Sequence, residues 1–147
     1  MGFEGGCLCG AVRYRVERRY LNAIHCYCSM CRKAHGTAFS THTLMRPDQL
    51  NWLAGKETLV PYASSPGGVR AFCPQCGTHV VVHGQSGDGS YAVPVGTLDG
   101  DPALTVSGHM FTADRVNWFE IQDDLPQHEG WPAGSGPGPP IEDPPDI

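Results

Sequence analysis

Seven cysteines constrain this 147-residue chain more than any other feature of it. They fall in three tight groups, Cys7/Cys9, Cys26/Cys28/Cys31 and Cys73/Cys76, with no thiol outside them. An all-disulfide framework would leave one thiol unpaired, and such close spacings do not suit a covalent staple. Local clustering is what a chelator needs, and seven sulfurs divide naturally as four plus three. A structural zinc closes on four ligands, whereas a catalytic zinc keeps three protein ligands and one exchangeable position. The three-sulfur group is therefore either completed by another side chain or left open.

Other features narrow the class. With 40% apolar residues, 19 Gly and 13 Pro, the chain suits one turn-rich domain with a modest core and few long helices. A formal charge of −5 argues against nucleic acid, whose phosphates call for a basic face. No apolar run approaches the ~20 residues of a membrane-spanning helix. The opening "MGFEGGCLCG" has neither a basic n-region nor an apolar h-region, and Gly6 stands where a myristoylation signal wants Ser or Thr. The expected location is the cytoplasm.

Alternation marks the strands. In "GAVRYRVERR", Val12, Tyr14 and Val16 share one face and Arg13, Arg15 and Glu17 the other. "LNAIHCYC" keeps Ile24, Cys26 and Cys28 on one parity, which predicts a strand delivering thiols to one face. Ser29 is a candidate cap for the short turn "SMCRKAHG", and Gly36 its stop. "TAFSTHTLM", "ETLVPYA", "GVRAF", "THVVVH", "SYAVPVGTL" and "NWFEI" read as strands, and "RPDQLNWLAGK" as a turn with an irregular segment. Turn signals such as "SSPGG", "GQSGDG" and "LDGDP" separate them. The expected fold is mainly β, antiparallel sheets packed around zinc sites with little helix. Residues 132–147 are read as a disordered Pro/Gly-rich tail after a zinc-binding domain spanning 1–131.

"FCPQCGT" is the most specific motif. Its Cys-x-x-Cys turn lets two thiolates reach one metal, with Gly77 available for a positive φ. "GGCLCG" is the natural second half, since Cys-x-Cys on an extended chain aims both sulfurs at one face. Cys7, Cys9, Cys73 and Cys76 then form a four-cysteine site that closes a long loop. Cys26, Cys28 and Cys31 remain. Their fourth ligand is a histidine, with His25 and His35 nearest in sequence, or an exogenous group. Three thiolates leave zinc with a formal site charge of −1. That blunts its power to acidify water and favours a soft thiol. Arg32 and Lys33 stand next to Cys31 as solvated cations or as partners for an anion.

"GGCLCGAVRYRV", "HCYCSMCRKAHGTAFS", "FCPQCGTHV", "VPVGTLD" and "DRVNWFEIQDDLPQHEG" resemble the glutathione-dependent formaldehyde-activating enzyme family, from about Gly5 to Gly130. The resemblance implies a β-tent fold, a structural zinc on Cys7, Cys9, Cys73 and Cys76, and a catalytic zinc on Cys26, Cys28 and Cys31. It also implies a carbon–sulfur lyase joining the glutathione thiol to formaldehyde as S-hydroxymethylglutathione. The family members best associated with that reaction carry a longer, helical C-terminal region, which this chain replaces with its Pro/Gly-rich end. The alternatives are a zinc-stabilised module that binds a thiol or a partner without turnover, and zinc-assisted hydrolysis of another small molecule. No general acid or base stands out: His25, His35, His42, His79, His83 and Asp99 are all eligible.

Overall fold

The structure, a computed structural model, describes residues 2–18, 21–84 and 89–136. In chain order it runs β1 (Phe3–Gly6), β2 (Arg13–Val16), β3 (Leu21–Cys26), α1 (Ser29–His35), β4 (Ser40–Met45), β5 (Leu50–Ala54), β6 (Val60–Ser65), β7 (Gly68–Phe72), β8 (His79–His83), β9 (Tyr91–Pro94) and β10 (Leu104–Met110). A small sheet has the order β1-β2-β5, and a large one the order β10-β3-β4-β9-β8-β7-β6. The architecture is mainly β with one α-helix among the described residues, as expected. All neighbours in the large sheet are antiparallel except β10 and β3, which run parallel.

The core lies where alternation puts it. Val12, Tyr14 and Val16 are fully buried, and they meet Leu21, Met45, Leu50, Val80, Val81 and Val93 from other strands. Arg13, on the outward face of β2, pairs with Glu4 and Asp99.

Two expectations are corrected. The segment read as irregular, "LNWLA", is the strand β5, antiparallel to β2. Leu50 is buried in the core and the Trp52 ring meets Tyr14 edge-on at 6.2 Å, so alternate side chains have a face to cover. "NWFEI", read as a strand, forms none. Its aromatic content serves packing instead: Phe119 meets Phe39 at 5.2 Å and Tyr27 at 6.3 Å. The strands β1 and β10 carry no alternation strong enough to announce them. Residues 85–88 of the turn expected at "GQSGDG" and residues 137–147 of the tail expected over 132–147 lie outside the described residues; within 132–136 the Ser135 N–H donates to the Pro132 carbonyl.

After β10 the chain folds back along that strand. His109 N–H donates to the Pro126 carbonyl, His128 N–H to that of His109, and Phe111 N–H to that of Gly130. The Tyr27 hydroxyl meets His109 Nδ1 at 3.0 Å, and His109 Nε2 meets Asp123 at 2.9 Å. This stitching brings Trp131 against the three-cysteine group.

Candidate metal centres

The four-sulfur group is made by two tight turns from different sheets. The Gly10 N–H donates to the Cys7 carbonyl, the Cys7 N–H to that of Val12, and the Val12 N–H to the Cys7 sulfur. On the other side, the Gly77 N–H donates to the Cys73 carbonyl, and Gly77 takes the positive φ of 75° that a side chain would disfavour. Thr78 bridges the turns: its hydroxyl accepts from Leu8 N–H and meets the Cys76 sulfur at 3.3 Å. The Thr78 hydroxyl, then the backbone N–H groups of Thr78 and Cys9, draw the Cys76 thiol down to about 5.

The sulfur atoms of Cys7, Cys9, Cys73 and Cys76 all lie within 4.8 Å of one another. A tetrahedral zinc with Zn–S bonds of about 2.3 Å sets its sulfurs about 3.8 Å apart. Here Cys7 and Cys9 are 3.5 Å apart and Cys9 and Cys73 3.8 Å, and none of the seven cysteines is in a disulfide. The donor set fits a structural zinc.

The second group comes from one local segment. Cys26 ends β3, Cys28 caps α1 and Cys31 lies in its first turn, with all three sulfurs within 4.8 Å. Ser29 is not the cap. The Cys28 sulfur accepts from the Cys31 N–H at 3.3 Å, so a ligand atom does the capping. Gly36 ends the helix in the left-handed region, as expected. All three cysteines are buried. Sulfur contacts from Cys26 and then Cys28 hold the Cys31 thiol far below its usual range, while contacts from Cys28 and Cys31 raise that of Cys26.

The walls are apolar on one side and polar on the other. Ile24, Met110, Phe111 and Trp131 pack against the sulfurs. Ile24, Met110 and Trp131 also line a cleft of about 580 Å³, together with His42 and with Arg18, Asn22 and Ser107 as further polar groups; no cysteine is in its lining. On the other side the His35 ring lies 5.4 Å from His42 and 5.3 Å from His79. Burial holds all three below the ordinary imidazole range, His35 down to about 4, so they are neutral at pH 7. Arg70, on β7, donates through Nη2 to the Cys31 sulfur at 3.5 Å.

Neither neighbouring histidine joins the three-sulfur group. His25 meets the Thr41 hydroxyl at 2.8 Å and the Phe39 ring at 4.5 Å, while His35 faces the other imidazoles. His83 packs against Tyr91, and Asp99 pairs with Arg13. Of the eligible acid–base groups, His42 alone lines the cleft. Arg70 gave one legible sign: a lone charge inside the apolar strand "GVRAF", three residues before Cys73. Met110 and Phe111 gave none, because the parallel pairing of β10 with β3, which sets Met110 opposite Cys26, joins segments far apart in sequence.

A family model described as "Glutathione-dependent formaldehyde-activating enzyme" matches residues 2–114, a span that contains all seven cysteines. A Halomonas elongata protein, named provisionally as a glutathione-dependent formaldehyde-activating enzyme, is 30% identical over 129 residues, covering 83% of this chain and 82% of its own. An uncharacterised lyase of Schizosaccharomyces pombe is 24% identical over 121 residues, covering 81% and 85%. A crystal structure of a Rhodobacter sphaeroides protein is similar with a TM-score of 0.57 and 30% identity, covering 67% of this chain and 89% of that one.

Proposed function

The chain belongs to the glutathione-dependent formaldehyde-activating enzyme family, and from that premise we propose that it is a zinc-dependent carbon–sulfur lyase. Its Cys26/Cys28/Cys31 group takes up a substrate thiol for addition to a small aldehyde, with glutathione and formaldehyde the leading pair. Cys7, Cys9, Cys73 and Cys76 hold a second, structural zinc. One observation carries this reading. The three sulfurs converge while, among the described residues, no fourth cysteine, histidine or carboxylate completes their group, and Ile24, Met110 and Trp131, which pack with them, also line a cleft.

A zinc held by these three sulfurs would stabilise the thiolate of an incoming fourth sulfur at neutral pH. The chain's own residues supply the rest. Ile24, Met110 and Trp131 exclude water from the sulfur side of the cleft, and its volume suits a ligand of tripeptide size. Arg18, Asn22 and Ser107 offer hydrogen-bonding groups to such a thiol. The thiolate attacks the carbonyl carbon, a C–S bond forms, and the C=O π pair moves to oxygen. The proton lost by the thiol ends on that oxygen, giving the S-hydroxymethyl adduct, and the reverse path breaks the same C–S bond. His42 is the proton carrier in this scheme: it is neutral and lines the cleft, and its Nε2 has no partner.

The test is the rate of S-hydroxymethylglutathione formation from glutathione and formaldehyde, followed by exchange NMR with and without zinc-loaded protein. Acceleration that is lost in Cys28→Ser is the expected result. Thiol binding to the cobalt-substituted protein without acceleration would leave a binding module. No thiol binding would overturn the reading.

A further inference from the structure

Arg70 is 2% exposed, and among the described residues no carboxylate pairs with it. Its Nε and Nη1 are buried without a hydrogen-bond partner, and its one polar contact is Nη2 on the Cys31 sulfur. The titratable side chains around it are His35, His42 and His79, held neutral by burial. A buried guanidinium needs a compensating anion, because an unpaired buried charge is strongly destabilising. Among the described residues the sulfur group is the one anion within reach, and Arg70 meets it at the Cys31 sulfur.

We propose that Arg70 is the specificity-determining residue of the three-cysteine site, acting through Cys31 to make an anionic fourth ligand, a thiolate, preferred over a neutral one. This rests on the thiol-binding reading above and adds the source of its selectivity. Three thiolates and a divalent ion carry a net charge of −1. With Arg70 the buried unit is neutral, and a thiolate takes it to −1. Without Arg70 the same step would take it from −1 to −2 in a site closed to water. A neutral fourth ligand changes the charge in neither case and is indifferent to Arg70. Metal uptake exchanges three thiol protons for one divalent ion, a change of −1, so Arg70 favours it as well. What separates this charge role from a merely structural one is the ratio of thiol to imidazole affinity in the metal-loaded protein, which only the charge moves.

That ratio is the test. The cobalt-substituted protein is titrated at fixed pH with 2-mercaptoethanol, a thiol with no charge of its own for Arg70 to contact, and with imidazole. In metal-loaded Arg70→Gln, thiol affinity should fall about tenfold or more while imidazole affinity stays within about threefold. Arg70→Lys should restore most of the thiol preference. Thiol and imidazole affinities falling together, or a thiol affinity unchanged in Arg70→Gln, would overturn the proposal. Should Arg70→Gln not fold, Arg70→Lys decides alone: a thiol-to-imidazole ratio near wild type supports the charge role, and a ratio about tenfold lower refutes it. Failure of the wild-type protein to bind the thiol at all would count against the function itself, a result separate from these.

Discussion

His35 sits between His42 and His79 with Nε2 buried and unpartnered, and burial followed by the neighbouring His42 lowers its pKa from 6.5 to about 4. Between those two values the unfolded chain accepts a proton that the native imidazole refuses. Protons therefore favour the unfolded state, and stability falls as pH drops from 6.5 to about 4 and then levels off for this group. His42 and His79 shift in the same direction and steepen the decline. Denaturant melts from pH 7 to 4, with zinc in excess to limit loss of metal as thiolates protonate, should show this slope, and His35→Gln should flatten it. An unchanged slope in that variant would show that the cluster is not what titrates. The same residues mark what was legible at this scale. Ligand sets built from near neighbours, such as Cys26, Cys28 and Cys31, are written in their spacing. The partners of His35, and the contact of Arg70 with Cys31, arise from sheet register, to which spacing along one strand is blind.

Among the elements, the segment after β10 shows why aromatic content misled. "NWFEI" has the composition of a strand, yet residues 117–121 form none. What holds it is a side-chain tether, Tyr27 to His109 to Asp123, together with Phe119 packed on Phe39. β5 errs in the opposite direction. Its short Leu50/Trp52 alternation lay behind a Pro-led turn, and the covering face, Tyr14, comes from a strand 38 positions earlier. The cap of α1 was misplaced by one residue because a sulfur took the place usually held by a hydroxyl. The tether makes a prediction. Asp123→Ala removes the acceptor for His109 Nε2, so the fold-back should loosen while the sheets stay intact. Amide hydrogen exchange should rise at Phe111, Thr112 and His128, whose N–H groups bond across the fold-back, and stay unchanged at Val81 and Val93. Uniform protection at all five amides would mean that backbone bonding alone holds the segment. Trp131 follows this segment to the metal group, so thiol affinity should weaken with it.

For the whole molecule, the two cysteine groups differ in what they connect. Cys7 and Cys9 lie between β1 and β2 of the small sheet, and Cys73 and Cys76 lie between β7 and β8 of the large one. A metal there closes a loop of about 70 residues and clamps one sheet to the other, which is where metal binding contributes most to folding. The three-cysteine group joins only the end of β3 to the first turn of α1. The division into four and three was legible because each half-site is local. The sheet-to-sheet consequence was not, because it depends on topology. Cys73→Ser should therefore unfold the protein or lower its melting temperature by about 10 °C or more, the order expected when a structural zinc site is lost. Cys28→Ser is a gentler probe than it first looks. Serine is itself a good N-cap, so α1 keeps its cap and the change reports on the metal. That variant should retain about one zinc per chain against about two in the wild type, and should melt only a few degrees lower. Equal collapse of both variants would make both metals structural, and the substitution that best separates metal from cap would then remove the basis for an exchangeable site at Cys26, Cys28 and Cys31.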